Sequence, residues 1–200
     1  MSAAPPTIEL WFDVASMYSY LSVMRIERLA VRAGVAVQWE PFLLGPIFES
    51  FGWNSSPFVL QKEKGEYMWR DLERQCRKYG LPWRRPSVFP RNTVLPIRVA
   101  LLGAREAWGP PFAKEVMFRH WGQDEDVSTE ASVTSALSSL GLPAGSILAD
   151  TVSPENRPKL RAQIERARAL RIFGAPMFFV GGEMFWGNDR LEEALEAARA

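Results

Sequence analysis

Between Ile8 and Leu21 the chain changes its hydrophobic period, and that change constrains the architecture more than any other stretch. Residues 8–14 are mostly apolar and aromatic, with Glu9 and Asp13 the only charges, which is the make-up of a strand. From Ser16 the spacing turns helical, with Tyr20, Met24 and Leu29 recurring on one face. Ser16 therefore stands at a strand-to-helix turn, where a small hydroxyl residue caps the helix. The first turn of such a helix carries unpaired N–H groups and a partial positive charge, which favour an anion. Taken alone, Ser16 reads as a cap.

The helix from Ser16 to about Ala33 ends at Gly34, and residues 35–42 alternate as a second strand. Strand, helix and strand of these lengths predict a βαβ unit with a parallel pair. Residues 46–57 are irregular, with a turn at Asn54-Ser55-Ser56-Pro57. Helices are then predicted over Lys62 to Tyr79, Thr93 to about Trp108, Phe112 to Trp121, Ser128 to Leu140 and Pro154 to Leu170. Met177 to Val180 is a short apolar strand, Gly181-Gly182 a hairpin turn, and Glu183 to Trp186 the returning strand. Asn188-Asp189 opens a last helix, with Asn or Asp as its cap. This order is that of an α/β thioredoxin-like domain interrupted by helices. The expected division is a discontinuous thioredoxin-like domain at 6–45 and 172–200, with a large all-helical insertion at 46–171.

Composition narrows the function classes. The net charge is +1, from 24 basic and 23 acidic residues, which gives no global field for nucleic acid or an anionic membrane. No apolar run is long enough for a transmembrane helix, and the N-terminus lacks a charged region followed by an apolar one. Cys76 is the only cysteine, so no internal disulfide forms and a cytoplasmic protein is expected. His120 is the only histidine, which leaves little for a zinc site or a serine triad, and it reads as a surface or satisfied helix residue.

A second stretch returns attention to Ser16. Phe173-Gly174-Ala175-Pro176 places a proline immediately before an apolar strand, where it removes no ladder donor. Beside Gly174 it is expected to be cis, leaving the Ala175 N–H and C=O free to pair with an extended peptide. With this stretch the chain resembles the 2-hydroxychromene-2-carboxylate isomerases, relatives of kappa-class glutathione transferases and DsbA-type folds. The matching pieces are Phe12-Asp13-Val14-Ala15-Ser16-Met17-Tyr18-Ser19-Tyr20-Leu21, Gly52-Trp53-Asn54, Lys64-Gly65-Glu66-Tyr67-Met68 and Asp71-Leu72-Glu73-Arg74. Phe89-Pro90-Arg91-Asn92, Gly174-Ala175-Pro176 and Gly187-Asn188-Asp189-Arg190-Leu191 complete the set, in the family's order over almost the whole chain.

The resemblance implies a glutathione site with Ser16 as the catalytic serine facing the sulfur. Ala175 and cis-Pro176 match the pair whose backbone binds the tripeptide, and Asn188 and Asp189 match residues holding the γ-glutamyl end. Asn54 and Lys64 fall where further glutathione contacts lie, a lysine being suited to the glycyl carboxylate, with Lys62 the alternative donor. It also implies a homodimer acting on a small aromatic carboxylate. The implied reaction interconverts 2-hydroxychromene-2-carboxylate and trans-o-hydroxybenzylidenepyruvate in naphthalene-type degradation. One position departs from the family pattern: the residue after the serine is Met17 instead of proline, which is expected to reshape the substrate pocket.

The residues suit that chemistry. A thiol of pKa about 8.5 is a good nucleophile only as the thiolate, which a hydroxyl donor and first-turn N–H groups stabilise. Positions 16 and 19, which hold the Cys-x-x-Cys pair in a DsbA-type redox enzyme, are both serine here, so thiol–disulfide exchange by the chain itself is excluded. Trp11, Trp53 and Trp83 are candidates for an aryl pocket, and Arg84, Arg85 and Arg91 for a substrate carboxylate. Two alternatives remain at this point: a kappa-like transferase or peroxidase acting on another electrophile, and a non-catalytic thiol-peptide binder.

Overall fold

The computed structural model describes residues 4–199. Its centre is one mixed sheet of four strands in the order β2-β1-β3-β4. Strand β1 (Thr7–Phe12) pairs in parallel with β2 (Ala36–Pro41), with Leu10 opposite Trp39. On its other side β1 runs antiparallel to β3 (Met177–Val180), which pairs with β4 (Glu183–Trp186). Gly181 and Gly182 both have positive φ, 55° and 91°, as a tight two-residue hairpin requires. The βαβ unit and the hairpin agree with the sequence pattern.

Alternation sorts the strands' side chains onto two faces. Ile8, Leu10, Phe12 and Phe178 enter the main core, packed by α1 (Met17–Val23), α2 (Ile26–Ala33) and α11 (Leu191–Ala197). Trp11, Met177 and Phe179 enter a second core with Ile47, Ala167 and Ile172. Helix α10 (Lys159–Ala169) closes that second face. Its Gln163 donates to buried Glu40 at 2.7 Å, and its Arg166 pairs with Glu40 at 2.9 Å while lying over the Trp11 ring. Burial pushes the Glu40 carboxyl up, but donors from Gln38, Gln163, Arg105 and Arg166 outweigh it and hold the group below its ordinary value.

Between β2 and β3 the described residues form helices and no strand. Helix α5 (Lys62–Tyr79) has the predicted bounds, with Gly80 left-handed at its C-cap. Elsewhere the helices differ from expectation. The predicted Ser16–Ala33 helix is two, broken at Met24 and Arg25, where Arg25 turns its guanidinium into the interior. The span read as irregular contains α3 (Gly45–Ser50) and α4 (Pro57–Leu60). Helix α6 (Val94–Leu102) stops at Gly103 rather than Trp108, and the Trp108 indole folds back onto the space a Gly103 side chain would fill. Helix α7 (Gly109–Met117) runs into a π-helical turn, Phe118–Gly122. After α8 (Glu130–Ser139) comes α9 (Ala144–Thr151), which the sequence reading did not separate from a loop. Among the described residues no helix is long and apolar enough to cross a membrane.

Candidate active site

Ser16 is the N-cap of α1, with extended backbone, φ −92° and ψ 116°. Its Oγ accepts the Ser19 N–H at 3.2 Å, the capping bond expected from sequence, and it is almost fully buried. The hydroxyl donates to the Ala175 C=O at 2.9 Å, across 159 residues of chain. The Ala175–Pro176 bond is cis, as the motif led one to expect. The Ala175 carbonyl is not free, however: Ser16 occupies it, because a buried hydroxyl needs an acceptor. Ser19, at the second position of the pair, is fully buried, and its Oγ has no partner among the described residues.

The same edge continues to Asn188 and Asp189. The Pro176 C=O accepts the Gly187 N–H at 3.0 Å, and Gly187 has φ 109° with Asp189 Oδ1 folded over its Cα. Asn188 lies in a 3₁₀ turn ahead of α11, and its side chain does not cap that helix. Its Oδ1 instead accepts from Ser22 Oγ at 3.1 Å and from Arg25 at 2.9 Å, buried against α1 and α2. Arg25 is itself buried, stacked 3.6 Å over the Tyr79 ring and paired with Glu192. Asn188 thus anchors the turn, while the neighbouring Asp189 carboxylate stays exposed.

Lys64 is exposed at the start of α5, with Nζ 5.8 Å from the Phe58 ring centre. Phe58 packs at 6.3 Å against Tyr18 in the first turn of α1, so Lys64 stands one aromatic layer from the Ser16 turn. Asn54 is exposed in the turn after α3. Met17 is buried in the main core, so the family-pattern departure alters packing beneath the turn and not an open pocket wall.

Residues that the sequence reading left without a role surround the turn. Asp13 is almost fully buried; its Oδ1 accepts the Ala15 N–H at 2.9 Å and the Thr93 hydroxyl at 3.0 Å, and its Oδ2 the Leu44 N–H at 2.8 Å. Burial raises its carboxyl above the usual value against the pull of these donors. The signal was visible: an acid directly after the apolar run Leu10-Trp11-Phe12. Trp121 Nε1 donates to the Val14 C=O at 2.9 Å. From Trp121 an aromatic wall rises through Trp83, stacked at 6.2 Å, to Trp69, stacked at 6.0 Å, with Phe89 against Trp69 and Trp121. Of the three tryptophans proposed for an aryl pocket, Trp83 belongs to this wall. Trp11 is buried in the second core, and Trp53 packs on Phe48 and Phe51.

The three candidate arginines separate as clearly. Arg91 is buried and spends its donors on Glu125 C=O, Ser87 Oγ, His120 Nδ1 and the Asp124 carboxylate. Arg84 reaches the Gln123 C=O at 3.4 Å. Arg85 is exposed, its guanidinium 5.0 Å over the Trp69 ring. His120, expected at the surface or satisfied, is fully buried, with Nε2 lacking a partner among the described residues. The π-helical turn carries it inward beneath Arg91. Cys76 is buried, and burial pushes its thiol up to about 12, so it is no nucleophile.

Known proteins share this fold. The DsbA-like thioredoxin domain family matches residues 7–198. A 2-hydroxychromene-2-carboxylate isomerase of Sphingobium xenophagum is 31% identical over 190 residues, covering 93% of this chain and 94% of its own length. The glutathione S-transferase kappa 1 of Homo sapiens is 27% identical over 208 residues, covering 96% and 90%. A solved 2-hydroxychromene-2-carboxylate isomerase structure superposes with a TM-score of 0.85 at 26% identity, covering 96% of this chain and 93% of that one.

Proposed function

The chain belongs to the DsbA-like thioredoxin-domain family and, within it, to the 2-hydroxychromene-2-carboxylate isomerase family; from that premise we propose that it is a glutathione-dependent isomerase acting at Ser16. The observation that carries the reading is the continuous edge from Ser16 through Ala175 and Pro176 to Gly187 and Asp189, closed by bonds of 2.9 and 3.0 Å. This edge fits a short acidic peptide bearing an ammonium group. The Asp189 carboxylate suits the ammonium, Lys64 suits a terminal carboxylate, and the backbone beside cis-Pro176 suits an extended main chain. The substrate pair proposed is 2-hydroxychromene-2-carboxylate and trans-o-hydroxybenzylidenepyruvate, and the same reading includes a cytosolic homodimer.

Glutathione held by Asp189, Lys64 and the backbone beside Pro176 would supply a thiol nucleophile for reversible covalent catalysis on the conjugated substrate. The chain's part is to make and aim that anion. The N–H groups of Met17 and Tyr18 have no intrahelical acceptor and carry the positive end of α1. Ser16 has a single proton, which rests on the Ala175 C=O, so it aids the sulfur as a donor only when the peptide's own N–H takes that carbonyl. The partly exposed Trp69, Trp83 and Phe89, backed by the fully buried Trp121, offer the aryl group an aromatic surface. Arg85 is the cation left for the substrate carboxylate once Arg91 and Arg84 are assigned to contacts of their own.

The kappa-class relative, at 27% identity, supports a second reading in which the thiolate is conjugated instead of returned. Calorimetric titration with glutathione, followed by quantifying glutathione after turnover, tests both. Saturable binding with full recovery of glutathione supports the isomerase, and stoichiometric loss supports the transferase. No saturable binding would sink the site assignment.

A further inference from the structure

Thr93 occupies the N-cap position of α6, yet its hydroxyl makes no bond to that helix's first turn. It donates instead to Asp13 Oδ1 at 3.0 Å, eighty residues away (80 in sequence separation). A threonine placed to cap a helix that gives its hydroxyl elsewhere forgoes a recognised stabilisation, and the gain lies at the other end of the bond. That other end is the strand-to-helix turn. Asp13 holds the Ala15 N–H through its carboxylate and the Ser16 N–H through its own C=O at 3.0 Å, and its Oδ2 holds Leu44 at the start of α3. One residue further on, the Val14 C=O accepts the Trp121 indole N–H. Residues 13–16 are therefore tied twice to the helical stretch that builds the aromatic wall, once through Thr93 and once through Trp121.

We propose that Asp13 and Thr93 are positioning residues that lock the Ser16 turn to the helical stretch carrying the aromatic wall. Neither touches the reacting atoms. Their effect is to fix where a nucleophile held at Ser16 stands relative to a substrate lying against the aromatic wall, and small errors in that geometry cost rate steeply. The lock itself is a statement about this chain; its catalytic consequence rests on the glutathione-dependent reading above.

The test separates the two. Hydrogen–deuterium exchange is followed by mass spectrometry on the intact chain, for wild type, Thr93→Val, Thr93→Ser and Asp13→Asn. Thr93→Val keeps the shape and removes the donor, so exchange in the peptide spanning 13–20 accelerates about ten- to hundred-fold, the range for losing a hydrogen bond to a charged group. Strand β3 and helix α10 keep their rates, and Thr93→Ser restores the turn. Equal acceleration throughout the chain would mean that Thr93 only supports global stability, and no acceleration would mean there is no lock; either result overturns the proposal. If Thr93→Val does not fold, the Asp13→Asn pattern decides by the same criteria. On the glutathione-loaded enzyme, Thr93→Val lowers kcat about tenfold and leaves the KM for glutathione within about twofold, with Thr93→Ser recovering the rate. Wild type that shows the lock but turns over no substrate refutes the reaction assigned above and leaves the lock standing.

Discussion

His120 offers the sharpest quantitative prediction. Its Nδ1 lies 3.0 Å from an Arg91 guanidinium nitrogen, and because arginine only donates, Nδ1 accepts and the ring proton sits on Nε2. Burial first, then the Arg91 charge, push the pKa down from 6.5 to about 3. The folded protein thus keeps His120 neutral at any pH above that value, whereas the unfolded chain protonates it near 6.5. The stability it contributes is full above 6.5 and is lost as pH falls from 6.5 toward 3. Over the step from pH 7 to pH 5 the loss from this one group is about 2 kcal/mol, since the unfolded state gains nearly one and a half pK units of proton binding. His120→Asn retains an acceptor for Arg91 and cannot titrate. Urea unfolding at the two pH values, on both proteins, should show wild type losing about 2 kcal/mol more than the variant. Equal losses would refute the buried neutral imidazole.

Three further outcomes follow from packing and charge. Gly65→Ala would set a methyl group 2.2 Å from the Phe58 carbonyl oxygen, so α4 and α5 must separate. Thermal or urea unfolding should show a loss of about 1–3 kcal/mol. Arg25→Met leaves buried Asn188 Oδ1 with Ser22 as its one remaining donor, and should cost about 2 kcal/mol in the same assay. It should also weaken glutathione affinity by calorimetry, because the Asp189 turn rests on that anchor. Arg85→Met should raise the KM for the carboxylate substrate about tenfold while leaving that for glutathione unchanged; steady-state kinetics with both reactants varied checks this.

What the sequence disclosed depended on whether the signal was local. Helix α5 was legible to its last residue because its apolar stripe is closed by Gly80, a residue suited to the left-handed cap. The hairpin was legible because Gly181-Gly182 interrupts two apolar runs. The break at Arg25 was not, since what turns that side chain inward is Asn188, 163 residues later. Helix α9 was missed because it starts after Pro143 with no side-chain cap and buries few residues. Ser16, Ala175, Pro176 and Asp189 were singled out through the family resemblance; the structure bonds Ser16 to Ala175 and Pro176 to Gly187, two residues before Asp189. The bond between Ser16 and the Ala175 carbonyl, the engagement of Asn188 by Arg25 and the Asp13–Thr93 pair are tertiary events that no local pattern records. Choosing among Arg84, Arg85 and Arg91 likewise required knowing which one the π-helical turn buries.

The central claim, isomerisation by a thiolate held at Ser16, is tested most directly by following the absorbance of 2-hydroxychromene-2-carboxylate, with and without glutathione, in wild type and Ser16→Ala. The account predicts rapid approach to equilibrium that requires glutathione and is slowed at least about tenfold in the variant, the weight of one donor to a developing or resting anion. Equilibration that proceeds equally without glutathione, or unchanged in Ser16→Ala, would contradict it.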